Sequence, residues 1–127
     1  MDYSKLCQKG LEIDPQIRFS GILDKEGCLV FGIHKDGVTS LLTDDEVKMS
    51  IHYTFQRWEN LQNLQYKIGK EKTSVNEYDK VTLISIPINK NELYLVSSEP
   101  KSNYNDIITK TKLIIEDFLQ NDALKNR

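Results

Sequence analysis

Residues 17–32 read IRFSGILDKEGCLVFG, two short apolar runs joined by the polar turn DKEG. Alternation of side chains along each run is typical of a strand with one buried face. Gly27 stands where a type I turn followed by a bulge needs a residue with positive φ. We therefore predict a β-hairpin. One face of each strand is expected to carry these residues: Ile17, Phe19, Gly21 and Leu23 on the first, and Leu29, Phe31 and Ile33 on the second.

Residues 80–98, KVTLISIPINKNELYLVSS, repeat this design near the other end of the chain. The run VTLISIPI is almost continuously apolar, which predicts a strand covered on both faces. Just before it, KEKTSVNEYD at residues 70–79 alternates weakly and carries lysines and glutamates. Those charges are typical of an edge strand that resists pairing with another chain.

Between the two hairpins, residues 43–68 predict one long helix that Gly69 ends. Thr43 and Glu46 have the spacing of a capping box. Asp44, Asp45 and Glu46 could be interpreted as a carboxylate cluster. All three lie in the first helical turn, however, where the helix macrodipole stabilises negative charge, so we interpret them as part of the helix start. One apolar stripe runs along the helix: Val47, Ile51, Phe55, Trp58, Leu61 and Leu64 or Gln65.

The two chain ends predict helices that flank the sheet. We expect an N-terminal helix within residues 1–15, ended by Gly10, and a last helix whose C-terminal tail, residues 120–127, is frayed. The order αββαβββα predicts an α+β fold with a single five-stranded antiparallel sheet, one long central helix and flanking terminal helices. The first strand should lie beside the last. The length suits a single domain, residues 1–127.

Composition restricts the environment and the partners. The net charge is −2, and acidic and basic residues are interleaved, so a nucleic-acid partner is not expected. No apolar run approaches the roughly 20 residues that cross a bilayer, and the N-terminus lacks the pattern of a secretory signal. We expect a cytoplasmic protein with no membrane partner. Cys7 and Cys28 are far from a CxxC spacing and are predicted to be free, buried thiols.

The sequence offers no catalytic constellation. His34 and His52 have no second ligand at a recognised metal spacing. The glycines fit turns, bulges and strands, and no phosphate-binding loop opens a helix. We therefore predict no catalytic residue, no cofactor and no metal, and we expect that the protein is not an enzyme. An enzyme that uses Cys28 or His34 stays open as a further hypothesis.

Two residues of the long helix lie off its apolar stripe. Met49 and Tyr53 could face a second molecule, since methionine and aromatic residues are enriched at interface cores, or could form the shoulder of a broad core face. Both interpretations stay open. The candidate interface residues are Met49, Tyr53 and Trp58.

The segment GILDKEGCLVFG, residues 21–32, resembles the opening of the Roadblock family of dynein-light-chain-like domains. The helix and strand order is similar to that family from end to end. More closely, IRFSGILDKEGCLVFG, LLTDDE and LISIPI together resemble a small uncharacterised archaeal family of this type. The resemblance implies a profilin-like sheet and homodimers or heterodimers that act as scaffolds and as regulators of small GTPases.

Two functions follow. The first is a non-catalytic interaction or scaffold module that dimerises through the long helix or an edge strand, with a small GTPase or another protein as partner. The alternative is a small-molecule sensor like PAS and GAF domains. An apolar pocket of roughly a few hundred cubic ångströms with converging polar groups would favour the sensor, and a filled core the scaffold.

Overall fold

The computed structural model describes residues 2–125, which build one antiparallel sheet of five strands in the order β2-β1-β5-β4-β3. The elements are α1 (Tyr3–Leu11), β1 (Ile17–Leu23), β2 (Leu29–His34), α2 (Asp44–Leu61), a 3-10 turn (Gln62–Leu64), α3 (Gln65–Ile68), β3 (Ser74–Glu77), β4 (Thr82–Pro87), β5 (Leu93–Ser98) and α4 (Tyr104–Lys125). The predicted α+β fold with a five-stranded sheet is confirmed, and β1 lies beside β5 as expected.

The turn between β1 and β2 forms around the side chain of Asp24. Its carboxylate accepts hydrogen bonds from the backbone N–H groups of Glu26 at 2.9 Å and Cys28 at 3.0 Å. Gly27 has φ 77°, which a residue with a side chain adopts only with strain. The turn therefore closes as its sequence predicts.

Two irregularities change which residues share a face. The register of β1 against β5 shifts between Ile17 and Phe19. As a result, Ile17 packs in the same cluster as Ile22, on the face of the sheet that is opposite to Leu23. A second shift leaves Val30 unpaired, so Leu29 lies across from Leu23. The prediction of one uniform face for each strand is wrong here, because a bulge inserts one residue and reverses the alternation beyond it.

The larger core lies between the sheet and the two terminal helices. Leu6 and Cys7 of α1, with Ile107 and Ile115 of α4, cover one face of the sheet. The strands and the turn after β4 contribute the remaining buried apolar members of this cluster: Ile17, Ile22, Ile84, Ile86, Ile88, Tyr94 and Val96. These side chains pack together as one contiguous cluster on this face.

Gly10 has a different role from the one predicted. It lies inside α1 and is buried, and α1 ends one residue later. A Cβ atom at Gly10 would overlap the hydroxyl of Tyr94, which hydrogen bonds to the hydroxyl of Ser20. Glycine is therefore needed here so that helix and sheet can approach closely, not to end the helix.

The central helix begins as predicted and ends earlier. The Thr43 side chain accepts from the Glu46 N–H at 3.2 Å, and the Glu46 carboxylate accepts from the Thr43 N–H at 2.9 Å, which confirms the capping box. The prediction of one unbroken helix is wrong, because a 3-10 turn separates α2 from the single turn of α3. Gly69, with φ 87°, follows α3.

The C-terminal helix α4 continues to Lys125, past residue 120, where the sequence predicts fraying; residues 126 and 127 of that predicted tail lie outside the described residues. Within residues 2–125, none of the helices combines the length and apolar character that crossing a membrane needs.

Candidate functional site

The outward side of α2 carries exposed apolar side chains. Met49 is 57% exposed and Tyr53 is 61% exposed. They lie one turn apart, and the ring of His52 stands edge-on to that of Tyr53 with centroids 5.6 Å apart. Neither large side chain is used by the core, so this face is available to a second molecule.

Trp58, the third candidate interface residue, belongs to the core. Its side chain is 4% exposed and packs with Leu23 and Leu93, with Phe55 edge-on at 5.8 Å. Met49 and Trp58 are about two and a half helical turns apart, which places them on opposite sides of α2. We therefore remove Trp58 from the candidate interface and keep Met49 and Tyr53.

The inward side of α2 does not fill the space above the sheet. It touches the sheet through a small cluster of Leu23, Trp58 and Leu93, beside which Ile51, Phe55 and Leu95 are partly buried. Next to this cluster a cleft of about 570 Å³ lies between the helix, the loop before it and the strands. Its α2 wall comes from Val47, Ser50, Ile51 and Thr54.

The floor of the cleft is made by the strands. Phe19 of β1, Leu95 and Ser97 of β5, and Leu83 and Ser85 of β4 line it. The prediction that β4 is covered on both faces holds only in part on this side, since Leu83 is partly exposed whereas Ser85, the next residue on this face, is buried. The terminal helices cover one face of β4, whereas α2 packs mainly over β1 and β5.

A pair of glycines shapes the floor near β2. Gly21 and Gly32 are paired across the two strands, and a Cβ atom on either would come within 2.8 Å of the Phe19 ring. The far edge of the ring therefore lies over both glycines. The ring of His34, at the end of β2, contacts the same ring at a tilt of 52° with centroids 4.8 Å apart.

One end of the cleft carries basic side chains, of which Arg18 and Lys80 are cationic. Arg18, His34 and Lys80 all line it, and the register places them at the same end of the sheet, since Phe19 pairs with His34 and Thr82 pairs with Ser98. Among the described residues that line the cleft, no Asp or Glu occurs. This end therefore favours a negatively charged group.

Arg18 also holds the loop before α2. One guanidinium nitrogen is 2.7 Å from a carboxylate oxygen of Glu99, and the other donates to the backbone oxygen of Thr39 at 3.0 Å. Because Leu41 and Leu42 of the same loop line the cleft, this contact fixes one of its side walls. Lys80 is exposed and makes no ion pair with any residue between 2 and 125.

The two cysteines differ in exposure. Cys7 is buried, and burial raises the pKa of its thiol to about 11, although a hydrogen bond with Ser20 acts in the opposite direction. Cys28 is exposed, so the prediction that it is buried is wrong, because it lies in the turn before β2 rather than within the strand. Across residues 2–125 no three His, Cys, Asp or Glu side chains come together as a metal site.

The sequence could not reveal this cleft. Its residues come from all five strands or their flanking loops, and Arg18 and Lys80 are 62 positions apart in the chain (80 − 18). The one sequence signal is the length of the apolar run VTLISIPI, which needs more cover than a single crossing helix supplies.

Comparison with known proteins gives a family and a fold. The model of a family of unknown function, DUF6659, matches residues 1–121. The chain belongs to that family. No curated protein matches its sequence.

Solved structures of Roadblock/LC7 domains have the same fold as this DUF6659 chain. The Roadblock/LC7 domain from Streptomyces avermitilis superposes with a TM-score of 0.70 at 11% identity, covering 92% of each chain. The gliding protein MglB from Thermus thermophilus superposes with a TM-score of 0.74 at 10% sequence identity, and the match covers 89% of this chain and 82% of that one. Myxococcus xanthus MglB superposes with a TM-score of 0.71 at 11% sequence identity, and the match covers 94% of this chain and 96% of that one. The resemblance to the Roadblock fold is therefore confirmed.

Proposed function

We propose that this chain is a cytoplasmic, non-catalytic interaction module, a single domain that dimerises through the outward face of α2. The observation that carries the proposal is the exposure of Met49 and Tyr53 on a helix whose other side already packs in the core. Methionine and aromatic residues are enriched at the cores of protein interfaces. Two large apolar side chains that are exposed one turn apart on such a helix favour a contact surface.

An edge strand is the other route to a dimer. β3 lies at one edge of the sheet and pairs only with β4 among the described strands, so its outer backbone groups are open. Its residues, Ser74 to Glu77, are mostly polar, which discourages pairing by itself. We place the main contact on α2, with β3 as a secondary one. A solved structure with the same fold is described as MglB with tetrameric arrangement, which supports assembly in this fold.

The mass in solution tests the dimer. We expect light scattering to give twice the chain mass of 14.7 kDa for the native protein and the single mass for the double variant Met49→Asp, Tyr53→Asp. The matched control is Leu113→Asp, Leu124→Asp on α4, where the side chains are 61% and 63% exposed. The control should remain dimeric. A native protein that is a monomer, or a control that dissociates as readily, would refute the α2 interface.

For the partner, we propose a small GTPase, which the resemblance to Roadblock domains supports. The test titrates this protein with purified small GTPases of the source organism, each loaded with GDP or with a non-hydrolysable GTP analogue. We expect binding to one of them that differs between the two nucleotide states. Equal or absent binding in both states across the set would contradict this proposal.

The second candidate function is a small-molecule sensor, and the cleft beneath α2 favours it. Its volume of about 570 Å³ lies within the range of ligand sites, roughly 300–1,000 Å³. Basic side chains lie at one end of a space whose lining is mostly apolar. The two candidates use opposite sides of α2, so one protein could carry both.

A further inference from the structure

We propose that the cleft beneath α2 binds a small amphipathic anion, a molecule with an apolar body and a carboxylate or similar head. This inference rests on the second candidate function and is independent of the dimer. Three features carry it: the apolar floor and wall, the cationic end, and the way α2 is anchored.

The apolar body has a matching surface. Leu83 and Leu95 provide the floor, Phe19 closes it towards β2, and Val47 and Ile51 of α2 form the wall above. Leaving such side chains facing water costs about 25 cal/mol for each Å² of apolar surface. A ligand that covers them recovers part of that free energy, and this favours the binding of a hydrocarbon body here.

The charged head has a matching end. Lys80 has no ion-pair partner among residues 2–125, and His34 can donate a hydrogen bond from its ring. Arg18 is already engaged by Glu99 and therefore serves mainly to fix the wall. With no carboxylate among the described residues that line the cleft, a cationic head would meet repulsion and a neutral head would gain no ion pair.

The helix above the cleft packs on the sheet mainly through its C-terminal half. Phe55 lies against Gly27 in the hairpin turn, and Trp58 packs on Leu23 and Leu93, both near the hairpin end of the sheet. The first half of α2, with Val47 and Ile51, spans the cleft instead. A ligand can enter beneath that half without breaking the contacts of Trp58.

Calorimetric titration of the full chain with three probes tests the ligand class. Decanoate, decanol and decylammonium share a hydrocarbon body and differ in the charge of the head. We expect decanoate to bind at least about tenfold more tightly than either of the others. No saturable binding of decanoate, or equal affinity for decylammonium, would overturn the proposal.

Variants locate the site. Lys80→Glu should weaken decanoate binding at least about fivefold and leave decanol binding within about twofold. The matched control is Lys48→Glu, an exposed lysine of α2 outside the cleft with the same change of charge. Ser97→Phe, which places an aromatic ring on the floor of the cleft, should weaken the binding of both decanoate and decanol. Equal effects of Lys80→Glu and Lys48→Glu would show that decanoate does not bind at this end.

The dimer-breaking variant separates the two proposals. Met49→Asp, Tyr53→Asp changes the outward side of α2 only, so it should bind decanoate within about twofold of the native protein. This holds whether or not the native protein is a dimer. If the native dimer excludes decanoate and the variant monomer binds it, a second copy occupies the cleft and the ligand proposal is wrong.

Discussion

The contact between Gly10 and Tyr94 joins α1 to the sheet. Tyr94 is fully buried, its hydroxyl hydrogen bonds to Ser20, and burial raises the pKa of its phenol. Glycine at position 10 leaves room for that hydroxyl under the helix. The sequence shows a glycine near a helix end, which ordinarily indicates termination, because the close approach involves a residue 84 positions away (94 − 10).

Replacing this glycine should reverse the usual effect of alanine in a helix. Gly→Ala inside a helix ordinarily stabilises by up to about 1 kcal/mol. We expect Gly10→Ala to lower the free energy of unfolding by about 1–3 kcal/mol instead, because the added methyl group meets the Tyr94 hydroxyl. Urea denaturation measures the change.

Two further variants make that measurement specific. Gln8→Ala, at an exposed position of α1, should change stability by no more than about 0.5 kcal/mol. In a Tyr94→Phe background the cost of Gly10→Ala should fall, since the nearest overlapping atom is gone. A Gly10→Ala protein as stable as the native one would contradict this account of the contact.

Among the elements, α2 depends on its N-terminal cap because only part of it packs on the sheet. Thr43→Ala removes the side chain that accepts from Glu46 N–H, and we expect a loss of about 1 kcal/mol in the free energy of unfolding. Thr39→Ala, in the exposed loop just before, is the control and should have little effect. Urea denaturation followed by far-ultraviolet circular dichroism checks both, and a cap variant no weaker than the control would refute the role of Thr43.

Local sequence predicted most elements and failed where distant packing decides. The hairpin turn and the cap depend on neighbouring residues and were predictable from Asp24, Gly27 and Thr43, and the five-stranded sheet was predictable from the order of the elements. The reversed face of Ile17 was not, because a bulge depends on pairing with β5, which local alternation does not report. For the same reason Trp58, on a helix with two apolar sides, could not be assigned to core or interface before its neighbours were known.

On the scale of the whole molecule, the two faces of the sheet differ. The terminal helices pack on one face, while α2 leaves a cleft on the other and exposes Met49 and Tyr53. The helix α2 therefore has two proposed roles, as the cover of a ligand cleft on its inner side and as a dimer contact on its outer side. The outward contact is the central claim, since it gives the protein its proposed function as an interaction module.

A distance between two spin labels tests that contact most directly. Cys28→Ser removes the exposed thiol, and Cys7 is buried, so a single added cysteine can be labelled. One sample carries Lys48→Cys on α2 beside the proposed contact, and the other carries Glu116→Cys, an exposed position of α4 on the opposite face. Pulsed dipolar spectroscopy should give a shorter distance between labels at position 48 than between labels at position 116. A protein that is dimeric by mass but shows the shorter distance on α4 would contradict the account.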